Sequence, residues 1–163
     1  MFAKPFYNFL YSLFLVLITA AFCSYFNNIG MEKFYFSLQL SALNPPDYVF
    51  PIVWIILYAL MTIAFDLILN TENKEKIQQA AQLFTTNLFL QVIWTYVFFY
   101  NGFFFAGLVV LILLDIVTVW LIYAFYQLHK IAALMLTPYF IWLLFATYLN
   151  WAVIQLNGYN YAF

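Results

Sequence analysis

Charge is what this chain has least of. In 163 residues there are five lysines, no arginine, six acidic residues and one histidine, so charged side chains make up 7%. A soluble chain of this length exposes more surface than so few charges can cover. The net charge of −1 comes with no basic run and no acidic tail, which removes nucleic acid as a partner. The one cysteine, Cys23, excludes an intrachain disulfide. One histidine, one cysteine and scattered acids do not make a metal-ligand cluster. No GxSxG, P-loop or dinucleotide fingerprint occurs, and the helices lack the arginine ladder of a voltage sensor.

Long apolar runs and aromatic rings are abundant. Aromatics are 25% of the chain. Apolar stretches over about 6–26, 48–69, 83–100, 103–127 and 131–156 each approach or exceed the roughly 20 residues that span a bilayer core, and they predict helices over about 6–26, 46–69, 77–100, 103–127 and 131–156. Runs such as Leu108–Leu114 are continuous and do not alternate as barrel strands would. The fold class is therefore an all-α integral membrane protein, a bundle of five transmembrane helices forming one domain over 1–163. The first stretch continues through Phe22, Tyr25 and Phe26, longer than a signal core, and reads as a retained helix. Asn27, Asn28 and Gly30 are expected to end it. The loop over 27–45 is long and apolar, which suggests a lid that packs on something. Lys4, Lys74, Lys76 and Lys130 share one side of the membrane and Lys33 has the other. Positive loops stay cytoplasmic. In a bacterial inner membrane the N-terminus is then inside, and the C-terminus and the long loop are outside.

Polar and large aromatic residues within the helices mark a candidate site. Trp54 and Tyr58 share a face of the second helix; Asn87, Gln91 and Trp94 share one on the third; Trp142, Ala146 and Asn150 repeat by four on the fifth. At 1.5 Å per residue, Trp54, Trp94 and Asn150 lie about 10 Å from the loop-side ends of their helices. A cavity lined by rings and a few amides there suits a flat apolar ligand. The bland reading is equally open: tryptophans such as Trp54 and Trp151 gather at membrane interfaces, and buried amides cross-link helices. Asp115, half-way along the fourth helix, is an ionisable group at depth and a candidate for function. Its ordinary alternative is a bonded structural aspartate. His129, beside Lys130 in a turn, reads as solvated.

Three segments carry a resemblance. Pro45–Met61 (PPDYVFPIVWIILYALM) resembles a segment of the translocator protein family, also called TspO or tryptophan-rich sensory proteins. Gln91-Val92-Ile93-Trp94 with Phe98-Phe99 is similar to the family's third-helix motif, and Pro138–Trp151 (PYFIWLLFATYLNW) to its fifth-helix signature. The resemblance implies a five-helix bundle, usually a homodimer. It implies binding of porphyrin, haem and drug-like aromatics in a pocket near the first loop, and in animals of cholesterol. By position it places Trp54 and Tyr58, Trp94, and Trp142 and Ala146 in the walls. The chain departs from the family in carrying Gln91 for the usual asparagine, Phe34-Tyr35 for tryptophan-tyrosine, Leu40-Ser41 for lysine-proline and Thr62 for glycine. Ile154-Gln155 stands where a Trp-Arg pair often completes the sterol-associated pattern.

Three functions compete. One is a receptor or transporter-like protein that stacks tetrapyrroles between its rings, with Gln91, Asn87 or Asn150 orienting polar edges. No cofactor is obligatory in that reading; porphyrin or haem is the ligand, membrane lipid the surroundings and a second copy the partner. The second is an enzyme degrading porphyrin in light through pocket tryptophans, although no paired acid and base supports ordinary hydrolysis. The third, a proton-coupled carrier using Asp115, ranks last because no inverted repeat is visible.

Overall fold

The computed structural model describes residues 3–160, and those residues form helices and connectors without strands. The tail from Tyr159 falls partly outside them. In chain order the helices are α1 (Ala3–Lys33), α2 (Val49–Leu69), α3 (Lys74–Thr95), α4 (Phe104–Leu128), α5 (Lys130–Met135) and α6 (Thr137–Asn157). Five spans are long and apolar enough to cross a membrane, because α5 and α6 together make the fifth. This is an integral multi-pass bundle. Its outward faces carry rings such as Trp120 and Tyr123, which in lipid cost nothing to expose.

Several expected boundaries are corrected. The first helix does not stop at residue 26 but runs to Lys33. Gly30 is not its terminator: a Cβ there would sit 2.3 Å from the Phe99 carbonyl oxygen. The residue lets α1 press against the backbone at the end of the third span. The lid is accordingly 34–48, and Pro45-Pro46 belongs to it rather than to α2. The third helix starts earlier than expected, at Lys74, where the Asn73 side chain accepts the Lys76 amide as an N-cap. It ends in a π-helical turn over Tyr96–Tyr100, in which Asn101 N bonds Tyr96 O at 3.1 Å. Gly102, at φ 67°, makes the reversal into α4. The fifth span is not continuous. Leu136 interrupts it, because Pro138 has no amide proton and its ring crowds the carbonyl four residues back.

The two ends of the bundle are packed differently. At the end away from the lid, Phe65, Phe84 and Phe125 from three helices stack with centroids 4.1 to 6.4 Å apart, all fully buried. At the lid end the helices part around a hollow.

Candidate functional site

The hollow has a volume of about 430 Å³ and is walled by α1, α2, the third span and α6 under the lid. Trp54 and Tyr58 enter it from α2, with rings 5.2 Å apart. Gln91 and Trp94 enter from α3, followed by Phe98 and Phe99 from the π turn. Widening that turn packs Phe98 and Phe99 against the Trp94 ring, with centroids 6.1 and 5.7 Å away. Trp142, Ala146 and Asn150 line the α6 side, and Phe50 meets Trp142 edge-on at 5.8 Å.

Seven of the eight residues singled out in the sequence thus share one cavity. Asn87 is the exception. It is fully buried behind Gln91, where it binds Thr118 of α4 and Tyr139 of α6. Asn150 touches the cavity, but its amide is committed elsewhere. Its Oδ1 accepts the Trp94 indole N–H at 3.3 Å, and its Nδ2 donates to the Phe104 carbonyl at 2.8 Å. Gln91 touches the cavity beside the Tyr58 hydroxyl, which donates to its Oε1 at 3.2 Å. Of the two tryptophans read as interface candidates, Trp54 faces the hollow and Trp151 is turned outward, half exposed.

Asp115 lies apart from the cavity. Thr147 of α6 donates to its Oδ2 at 2.8 Å, and its Oδ1 is buried with no hydrogen-bond partner among the described residues. Among the described residues no group of acidic, histidine and cysteine side chains is placed to hold a metal.

The lid is tied down over the hollow. Gln39 and Asn157 exchange two bonds, from Gln39 N to Asn157 Oδ1 at 2.8 Å and from Asn157 Nδ2 to Gln39 O at 2.9 Å. Ser41 and Tyr148 share a third, at 3.1 Å. Phe34 packs on Phe104 and Tyr35 on Phe99. Tyr35, Asn44 and Asp47 give the mouth its polar atoms. Burial pushes the Tyr35 phenol above its usual range, the Asp47 charge adds to the rise, and a bond from Asn44 offsets part of it.

The sequence model of the TspO/MBR family matches residues 12–156. The chain belongs to that family. It is 39% identical over 125 residues to the tryptophan-rich protein TspO of Chlorobaculum tepidum, covering 76% of this chain and 79% of that one. It is 32% identical over 126 residues to the tryptophan-rich sensory protein of Cereibacter sphaeroides, covering 77% and 78%. The protein CrtK of Rhodobacter capsulatus is 31% identical over 125 residues, 76% of this chain and 78% of its own.

The first helix builds a wall of the cavity that the tryptophan and amide stripes do not mark. Ala20, Ser24, Asn27, Asn28 and Met31 of α1, with Cys23, line the cavity. Their spacing of three and four marks one face. Asn27 and Asn28 read locally as a helix end, which hides that face. Tyr139, fully buried behind the cavity, belongs to none of those stripes either.

Proposed function

We propose that the cavity binds tetrapyrroles such as porphyrin and haem, along with other flat apolar molecules, and that the protein acts as a membrane receptor or transporter-like protein for them. One observation carries this reading. Three indoles from three helices, Trp54, Trp94 and Trp142, surround a hollow of about 430 Å³, and Ala146 keeps its wall thin. The size falls in the range of small-molecule pockets, about 300 to 1,000 Å³. Ring stacking supplies affinity, and the lid excludes water. The names of the relatives, tryptophan-rich and sensory, are consistent with a binding role.

The test is a porphyrin titration followed by quenching of tryptophan fluorescence. Trp142→Ala is expected to weaken binding about tenfold through lost stacking. Ala146→Phe should abolish it by filling the space. Unchanged affinity in both variants would remove the site.

The proposal includes a homodimer paired through the small residues Ala81 and Thr85 on α3, which permit close approach. It also includes an orientation with the N-terminus cytoplasmic and the lid outside, supported by the distribution of lysines.

A further inference from the structure

The polar side chains at the floor of the cavity form one hydrogen-bonded chain, and each link has a direction. Thr118, in the middle of α4, donates its hydroxyl proton to the Leu114 carbonyl at 2.7 Å. Its oxygen is left as an acceptor and takes Asn87 Nδ2 at 2.8 Å. The Asn87 amide is thereby turned with Oδ1 away from α4, where it accepts from the Tyr139 hydroxyl at 2.8 Å and from Gln91 Nε2 at 3.2 Å. Gln91 Nε2 also donates to the Tyr139 oxygen at 2.9 Å. Both protons of the Gln91 amide are then in use, and its Oε1 faces Tyr58, whose hydroxyl donates to it at 3.2 Å.

An amide has nearly the same shape after its oxygen and nitrogen are exchanged. The chain could therefore close with every link reversed, the Gln91 amide donating to Tyr58 and the Tyr58 proton left to point at a guest. What separates the two patterns is the end of the chain. Reversal requires Thr118 to withdraw its proton from Leu114 and give it to Asn87. Thr118, Asn87, Gln91 and Tyr139 are each at most 1% exposed, so water does not stand in for a missing link.

We infer that the floor of the cavity is a hydrogen-bond acceptor by construction, and that Thr118 fixes this polarity from outside the cavity. Tyr58 has given its proton to Gln91 and presents oxygen lone pairs to the guest. The ligand class follows: a planar conjugated molecule whose inserted edge carries an N–H or O–H, in preference to one with an ether, carbonyl or carboxylate there. Cys23 of α1 also lines the cavity. This inference rests on the cavity being a ligand site, as proposed above. Thr118 is a positioning residue, since it acts through Asn87 and Gln91.

The probes are 1-hydroxypyrene and 1-methoxypyrene, one ring system with and without a donor. Each is titrated into the detergent-solubilised full chain at neutral pH, and the affinity ratio is corrected for partition into empty micelles. The wild type is expected to favour the hydroxyl compound by roughly 3- to 10-fold, the worth of one net hydrogen bond. Thr118→Ser keeps the terminal hydroxyl and should keep the ratio. Thr118→Val, of equal volume, and Tyr58→Phe should bring it towards 1. Equal binding of both probes by the wild type overturns the inference alone. A wild-type ratio in Thr118→Val also overturns it, even if both affinities fall, because a purely structural loss weakens both probes together. Where Thr118→Val yields no folded protein, the Tyr58→Phe ratio decides in its place. Failure of the wild type to bind either probe brings down the ligand site and the inference together.

Discussion

Asn150 shows how an amide inside a membrane span can serve the fold rather than the guest. The Trp94 indole N–H donates to it, and it adds a second bond to the Phe104 carbonyl at the start of α4. Gly107 of α4 comes close enough that a Cβ there would lie 3.1 Å from Asn150 Oδ1, so the helices meet at this amide. Asn150→Ala leaves the Trp94 indole N–H without its partner, at about 1–3 kcal/mol before relaxation, and removes the second bond on a Phe104 carbonyl that α4 already engages. The expected result is a lower melting temperature in detergent, with Trp94 emission shifted. A melting temperature equal to wild type would show that these bonds are not needed. The sequence placed Asn150 and Asn87 on the correct faces of their helices, because a period of 3.6 sets a face. It could not tell that one amide was committed to a neighbouring helix and the other shut behind Gln91. Those outcomes depend on Thr118, Tyr139 and Phe104, residues 31 to 52 positions away along the chain.

The helices themselves were the most legible part, since continuous apolar runs of bilayer length have few alternative readings. Their ends were not. Gly30 looked like a stop and is a point of contact, because a glycine signals either a turn or a close approach, and the partner that decides, Phe99, is far away in sequence. Gly30→Ala is expected to push α1 off the π turn and to destabilise the protein by about 1–3 kcal/mol, the usual cost of overpacking. Phe99 lines the cavity, so porphyrin affinity should fall as well. Unaltered melting and binding would mean that α1 and the turn separate freely. The π turn left no readable trace in the sequence, and the role of α1 was obscured because a membrane helix is apolar all round and lacks the contrast that marks a buried face in a soluble protein.

The bundle as a whole is asymmetric along its axis, filled with phenylalanine at one end and hollow at the other. Orientation and pairing belong to this level, and cysteine variants in a Cys23→Ser background read both. Gln39→Cys, on the lid, should react with a membrane-impermeant maleimide from outside intact cells. Thr85→Cys, whose position is exposed on α3, should cross-link two copies. Labelling of Gln39→Cys only after permeabilisation would invert the topology, and absence of a cross-link would remove α3 as the dimer face.

The stacked Phe65, Phe84 and Phe125 make the chamber a cul-de-sac. A guest admitted beneath the lid meets the polar floor, with those rings packed beyond it towards the far end of the bundle, and must retreat by the side on which it came unless both part. Such an architecture favours holding over conducting: the quantity it sets is dwell time, and its natural output is whether the room is taken.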